Sequence, residues 1–418
     1  MRILVVTQYF WPETFRINEM CQMFVERGHS VTVLTGVPNY PAGEVFPAYI
    51  QSPEAFGQFK GANVVRVPMV ARGSSRVRLA LNYLSYATSG AILGPWRLRG
   101  ERYDVILVYQ LSPVLMAVPA MVLRRLRRVP SCMLVMDLWP ETPLALGMLP
   151  HPLLYRAARW CVRWIYRSMD LLLVQSPGFV ESVRALSPAG SSIEYFPSWA
   201  DAVFATTEPT PAPEVPTAPG SFNVLFAGNV GEAQGFGVIL DAAAALAPDT
   251  SVRFLIVGDG SQLAWVRAEV ERRSLSTTVL LLGRHPVDRM PEFFAHADAL
   301  LVSLRPDPVF SKTIPAKIQA YMASGTPIIA VLDGEGADAI RRWDCGVVVA
   351  PGDSVGLAAA VRRLAAAPAA DRRAMGDNGR VGADSEFNGE VLVDRLLGWM
   401  AELVDGSDGS RASPGEAA

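Results

Sequence analysis

The sequence predicts an α/β protein made of two doubly wound, parallel-sheet domains in tandem. Three observations predict it. Short β-branched runs alternate with longer helical patterns along most of the 418 residues, the signature of repeated βαβ units. The series breaks at a proline-rich stretch and then restarts. Half of the residues are hydrophobic and 19% are charged, enough apolar material for two cores and too little charge for a largely disordered chain.

In the first half, strands are expected at Ile3–Val6, Val31–Thr35, Val64–Val67, Val105–Tyr109, Cys132–Met136 and Leu171–Val174, each an apolar run ending near Gly, Pro, Ser or Asp. Residues 205–220 carry five prolines, too many for a helix or a strand, and read as a linker or surface excursion. The second series is Asn223–Ala227, Arg253–Val257, Val279–Leu282, Ala299–Ser303, Pro327–Val331 and Gly346–Val349. The expected domains are therefore 1–200 and 201–385, followed by a closing helix at 386–404 and a small, polar, disordered tail at 405–418.

The net charge of -2 hides a split. Residues 1–200 hold 20 basic and 12 acidic side chains, whereas the remainder holds 18 and 28, so two domains face different partners. Only Lys60, Lys312 and Lys317 are lysines. The cysteines Cys21, Cys132, Cys161 and Cys345 lie far apart with no CxxC pair, which fits a reducing compartment and supports neither a zinc site nor a disulfide framework. The apolar run at the N-terminus is too short for the core of a signal peptide and reads as a first buried strand.

Two uncharged stretches approach membrane-span length. Val105–Leu123 contains Gln110, Pro113 and Pro119 and reads better as a strand, a turn at Ser112-Pro113 and a helix. Leu79–Trp96 has Asn82, Ser85, Thr88 and Ser89 spread through it. Arginines flank both stretches: Arg76, Arg78, Arg97, Arg99 and Arg102 around one, and Arg124 to Arg128 after the other. A further helix carries Arg156, Arg159, Arg163 and Arg167 on one face, with Trp160, Trp164 and Tyr166 beside them. That pattern fits the surface of an anionic bilayer, and equally a solvated face whose aromatics pack inward. No nucleic-acid-binding motif accompanies the charge, so no nucleic-acid partner is expected.

Ligands of doubly wound sheets bind beyond the carboxyl ends of the strands. There the first domain carries two similar loops, Gln8-Tyr-Phe-Trp-Pro-Glu13 and Met136-Asp-Leu-Trp-Pro-Glu141, each with aromatics, a proline and a carboxylate. Asp137, Glu13 and Glu141 are its candidates for acid–base or hydroxyl-binding work, or alternatively for capping the helices that follow. No GxGxxG follows the first strand, which argues against a dinucleotide cofactor. In the second domain, a strand runs into a loop with Gly228, Gly231, Gly235 and Gly237, and a second strand ends in Gly258-Asp-Gly260. Such turns let backbone amides approach phosphate oxygens at a helix N-terminus. Lys312 and Lys317 stand in one loop and helix start of this acidic half, where cations can neutralise a diphosphate leaving group.

With these residues in order, the chain resembles the family 4 glycosyltransferases, retaining enzymes of the GT-B fold. The motifs are GN-x-G-x-x-QG, VGDG, HADALLVSL, IPAKIQAYMASGTPIIA and GVVV-x-PGD in the second half, and YFWPE, MDLWPE, VQSPGF and FPSWAD in the first. Together they are similar to the WbuB-type subgroup, sugar transferases of bacterial surface-polysaccharide (O-antigen and capsule) assembly. The resemblance implies two Rossmann-like domains facing across a cleft, a UDP-sugar on the second domain and an acceptor on the first. It implies transfer of an N-acetylated or deoxy-amino hexose to a polyprenyl-diphosphate-linked saccharide, with no metal and no cofactor, at the cytoplasmic face of the inner membrane.

Carried over by position, the resemblance implies donor contacts from Gly228, Asn229, Gly231, Gln234, Gly258, Asp259, Arg284, Ile314, Pro315 and Lys317. Acceptor-side residues would be Tyr9, Glu13, Asn39, Tyr40, Trp139 and Glu141. Asp137, Lys317 and Lys312 would carry the chemistry. One departure stands out: many members have two glutamates eight positions apart, and here Lys312 and Ala320 occupy those places. Glu335 is a substitute carboxylate by proximity in sequence. A UDP-sugar 2-epimerase of the same fold is one alternative, although the four histidines do not cluster in the motifs. A non-catalytic nucleotide-sugar-binding partner of a membrane assembly is another.

Overall fold

A computed structural model describes residues 1–145, 147–149, 151–205, 209–248 and 251–411. The chain divides into two compact units, Met1–Phe196 together with Glu390–Ala418, and Pro197–Gly389. The first unit carries β1 (Arg2–Val6), β2 (Ser30–Thr35), β3 (Gln58–Phe59), β4 (Ala62–Arg66), β5 (Val105–Gln110), β6 (Ser131–Val135), β7 (Leu171–Val174) and β8 (Ser192–Tyr195). Their order is β3-β4-β2-β1-β5-β6-β7-β8, parallel throughout except for the β3–β4 hairpin. The second unit carries β9 (Phe222–Ala227), β10 (Val252–Val257), β11 (Val279–Gly283), β12 (Ala299–Ser303), β13 (Ile328–Val331) and β14 (Gly346–Val349), in the order β11-β10-β9-β12-β13-β14, all parallel.

Both sheets therefore reverse their winding beside their first strand, between β1 and β5 and between β9 and β12, the switch points at which doubly wound folds bind ligands. All twelve expected strands form, within a residue or two of their expected ends, because buried parallel strands advertise themselves as unbroken apolar runs. Two strands went unread. β3 is only Gln58–Phe59, and β8 is an edge strand, Ser-Ile-Glu-Tyr, exposed or half-buried along its whole length and so without an apolar run.

One open expectation is decided and another changes. Of the two readings of the proline-rich segment, the surface excursion holds and the linker does not: residues 209–220 are mostly exposed, Ala212 and Val215 are buried in the second unit's core, and the Ala212 amide donates to the Glu292 carbonyl at 3.0 Å. The closing helix runs over Gly389–Arg411, so residues 405–411, expected to be disordered, continue it. Residues 412–418 lie outside the described residues. This helix joins the first unit by burying Leu392, Val393, Leu396 and Met400, and Arg27 meets its Glu390 and Asp394 at 2.5 Å each.

The stretch 105–123 folds as expected: strand β5, a turn at Ser112-Pro113, a 3-10 turn at Val114–Ala117 and the start of the helix Val118–Arg127. Among the described residues, no helix is long and apolar enough to cross a membrane.

Candidate functional site

In the second unit, three strand ends build one cavity. Gly228 and Asn229 follow β9, Gly258, Asp259 and Gly260 follow β10, and Arg284 and His285 follow β11; with Val257 and Met290 they line about 550 Å³. Glycine is required by close approach. A Cβ at Gly258 would stand 1.8 Å from the Gly228 carbonyl oxygen, and one at Gly260 would stand 2.4 Å from that of Val230. The loops are tied by backbone bonds, Gly228 N to Val257 O at 2.8 Å, Val230 N to Asp259 O at 2.9 Å and Gln262 N to Val230 O at 2.9 Å. The Gln234 side chain closes the turn on itself by accepting from the Gly231 amide at 3.1 Å. The helix Phe236–Leu246 then starts, its N-terminal amides adding positive potential.

Lys317 sits directly under this loop. It lies in the first turn of the helix Ala316–Ser324, and a Cβ at Gly228 would meet its Cε at 2.6 Å and its Nζ at 2.9 Å. Tyr321, one turn on, anchors the helix to the end of β9: its hydroxyl accepts from the Ala227 amide at 3.0 Å and donates to the Ala227 carbonyl at 3.3 Å. The Lys317 ammonium is buried without a hydrogen-bond partner, 3.5 Å from the centroid of the Phe226 ring. Burial pushes it down to about 7, since a charge out of water is costly and a ring face compensates only in part. An unpaired buried amine beneath a glycine turn that lines a cavity is a site suited to an anion.

The remaining second-unit candidates fall elsewhere. Ile314 is buried in the core with Ile318 and Ala337, so its side chain packs and does not line the cavity. Pro315 packs near Gly336 and precedes the Lys317 helix. Lys312 ends the 3-10 turn Phe310–Lys312, which abuts the start of the helix Gly334–Arg342: a Cβ on Gly334 would lie 1.9 Å from the Ser311 carbonyl oxygen. Glu335 stands in that helix's first turn with its carboxyl pushed up by burial and by Asp338. Ala320 is buried. The sequence reading missed Val257, His285 and Met290. His285 follows Arg284 directly, and its ring packs on Phe293 at 4.5 Å while bonding the Leu282 carbonyl at 3.0 Å.

In the first unit, Glu13 is a loop staple and not a helix cap. Its carboxylate accepts from the amides of Phe10 (3.0 Å), Asn39 (2.8 Å) and Tyr40 (2.8 Å), joining the loops that leave β1 and β2. Burial nevertheless pushes it up to about 7. Asn39 accepts from the Arg72 amide at 2.9 Å, and Tyr40 packs on Tyr9 at 5.5 Å. The Tyr9 hydroxyl donates to Asn82 at 3.1 Å. Arg66, unnoticed in the sequence, is buried here and donates to the carbonyls of Gly36 and Trp11.

A second cluster joins the ends of β5 and β6. Ser112 donates its hydroxyl to the Asp137 carboxylate and accepts from the Trp139 indole at 2.8 Å. Glu141 accepts from Ser182 at 3.2 Å. The four X-Pro bonds Trp11-Pro12, Tyr40-Pro41, Ser112-Pro113 and Trp139-Pro140 are cis, one in each of the loops after β1, β2, β5 and β6. Among the described residues, no three His, Cys, Asp or Glu side chains come together as a metal-binding group.

These two units are those of a sugar-transferring enzyme. Residues 14–199 match the glycosyl transferase 4-like domain and residues 221–367 match the glycosyl transferases group 1 domain. The chain belongs to the GT-B glycosyltransferases, the class that makes glycans and polysaccharides. It is 24% identical over 344 residues to the glycosyl transferase WcaI of Escherichia coli (strain K12), named for colanic acid biosynthesis, covering 78% of this chain and 82% of WcaI. Among solved structures it resembles sucrose-phosphate synthase from Thermosynechococcus elongatus, with a TM-score of 0.70 at 17% identity over 97% of this chain and 99% of that one. It also resembles Anabaena HepE in complex with UDP, with a TM-score of 0.68 at 16% identity over 96% and 100%.

Proposed function

We propose that the enzyme transfers a sugar from a UDP-sugar to a polyprenyl-diphosphate-linked saccharide at the inner face of the cytoplasmic membrane, with retention of configuration, in surface-polysaccharide synthesis. The observation that carries the donor assignment is the unpaired, buried Lys317 ammonium beneath the Gly228 loop. The cavity offers a diphosphate close backbone approach at Gly228 and Gly258 and positive charge from Arg284 in its lining and from Lys317 beneath Gly228. HepE, similar to this chain in fold, holds UDP, a nucleoside diphosphate, in its crystal structure.

In this reading the bond from the anomeric carbon to the diphosphate oxygen breaks as the acceptor hydroxyl oxygen bonds to that carbon on the same face. The hydroxyl proton passes to the departing diphosphate. Lys317 and the loop amides stabilise the charge that develops there, with no metal called upon. Asp137, held by Ser112, orients the acceptor hydroxyl. With Lys312 and Ala320 at the usual glutamate positions, Glu335 is the carboxylate assigned to donor hydroxyls, since its helix abuts the Lys312 turn.

The test is a panel of UDP-sugars incubated with lipid extracts, reading UDP release and labelled lipid. Release that depends on lipid, and falls at least about a hundredfold in Lys317→Ala, is the expected result. Full activity of that variant would remove the diphosphate assignment. Tight binding of a UDP-sugar with no product under any combination would favour a non-catalytic binding role.

A further inference from the structure

The helix Arg76–Arg97 presents an outward face of an unusual kind. Its inward residues are Asn82, Tyr86, Ala87, Gly90 and Gly94, and a Cβ on Gly90 would meet the Pro119 ring at 2.5 Å, which fixes which side packs. The opposite side carries Val77, Leu81, Leu84, Ile92 and Trp96, 48 to 73% exposed, at spacings of one turn except between Leu84 and Ile92, where the uncharged Thr88 fills the intervening turn. No charged residue interrupts it from Leu79 to Trp96, a length of about 27 Å at the rise of an α-helix. A solvated helix face normally carries charges every turn; this one carries arginines only at its ends, and Arg99 lies over the Trp96 ring at 4.9 Å.

The helix Pro152–Tyr166 belongs to the same layer. Both helices pack on the turn Val114–Ala117, and Tyr86, Leu123 and Val162 share one core cluster. Tyr166 turns inward, but Trp160 and Trp164 point out, 68% and 45% exposed and stacked at 6.1 Å with their planes 8° apart. With Arg156, Arg159, Arg163 and Arg167 they line an open groove of about 590 Å³. Between Glu54 and Asp170 the only acids are Glu101, Asp104, Asp137 and Glu141. Of these, Asp104 pairs with Arg2, and Asp137 and Glu141 bond Ser112 and Ser182. Arg124 takes Asp170 at 2.5 Å, so few acids of this stretch are left to face the arginine stripe of the helix Pro152–Tyr166.

We infer that this face lies on an anionic lipid bilayer, the helix Arg76–Arg97 sunk along its apolar stripe into the acyl boundary and the Trp160–Trp164 groove receiving lipid phosphates. The inference rests on the proposed membrane-bound acceptor and names the surface that would meet it. Charge complementarity selects the occupant. An apolar stripe ending in arginines, beside an arginine groove with interfacial tryptophans, matches the order of acyl chain, interface and phosphate met on entering such a bilayer. A second copy of the chain would bring arginines against arginines.

The experiment is vesicle co-sedimentation of the full chain with phosphatidylcholine vesicles, with and without about one third phosphatidylglycerol. Salt series, Leu84→Glu/Ile92→Glu and Trp160→Ala/Trp164→Ala are compared, with circular dichroism and UDP affinity as controls for folding. Binding only to the anionic vesicles is expected, weakened by salt and by at least about tenfold in each double variant, with unchanged UDP affinity. No binding by the wild-type chain, or full binding by both variants, would overturn the inference. So would a lipid-free dimer in sedimentation velocity that Leu84→Glu/Ile92→Glu dissolves. Transfer to a detergent-solubilised acceptor separates the two readings: its retention in the variants isolates the surface, and its absence in the wild type overturns the proposed function while leaving vesicle binding to stand.

Discussion

The Lys317 ammonium rests 3.5 Å from the centroid of the Phe226 ring and has no hydrogen-bond partner. Burial holds it at about 7 against an ordinary 10.5. Above pH 7 the folded chain thus lacks a proton that the unfolded chain keeps, so stability rises with pH between about 7 and 10.5 and the full cost is present below 7. A bound diphosphate restores the charge. Calorimetry of UDP binding at pH 8 in buffers of different ionisation enthalpy is expected to show uptake of close to one proton, absent in Lys317→Ala. Equal enthalpies in all buffers for the wild-type chain would show that Lys317 does not meet the diphosphate.

The contact between the two glycine turns is rigid in a testable way. Because a Cβ at Gly258 would stand 1.8 Å from the Gly228 oxygen, backbone against backbone, Gly258→Ala cannot be relieved by a side-chain rotation. We expect a loss of about 2–4 kcal/mol in urea unfolding, together with loss of nucleotide binding. Gly237→Ala is the control. It lies inside a helix with nothing within 4 Å of its Cβ position, so it should be neutral or stabilise by up to about 1 kcal/mol.

How much of this was legible beforehand follows from which signals are local. Buried parallel strands and glycine turns are written in consecutive residues, so β9, β10 and their loops were readable with Gly228 and Gly258 in place. Lys317 could be nominated from composition, as one of two lysines in an acidic half. That it lies under Gly228 depends on Tyr321 bonding Ala227 across 94 residues, which no local pattern encodes. Glu13 shows the converse. A carboxylate at a strand's end reads as a catalytic candidate, and only the fold brings the Asn39 and Tyr40 amides to it. Arg66 left no trace because a buried arginine that donates to carbonyls looks, in sequence, like any other.

Glu13 sets a second pH dependence with the opposite sign. Its carboxyl is pushed up to about 7 by burial, so between about 4.5 and 7 the folded chain holds more protons than the unfolded one. Stability from this group is fully present below 4.5 and is lost as pH rises through 7. Glu13→Gln does not titrate, and its amide sets a donor against one of three backbone N–H groups. Urea unfolding should show a flatter pH profile for the variant across that window, and at pH 5 a lower stability by about 1–3 kcal/mol. A variant profile parallel to that of the wild-type chain would show that Glu13 is not the titrating group.

Ser112 links Trp139 to Asp137, and its removal separates orientation from charge. Trp139→Phe deletes the indole donor and leaves Ser112 bonded to Asp137, whereas Ser112→Ala frees the Asp137 carboxylate to turn. Asp137→Asn removes the charge itself. If Asp137 orients the acceptor, turnover should fall about a hundredfold or more in Asp137→Asn, about tenfold in Ser112→Ala and least in Trp139→Phe. UDP affinity should stay unchanged in all three, because none of these residues lines the second-unit cavity. The ranking is what carries the argument. A carboxylate that merely stabilises its loop would instead show the three variants ordered by their unfolding free energies, with kcat untouched in whatever fraction remains folded.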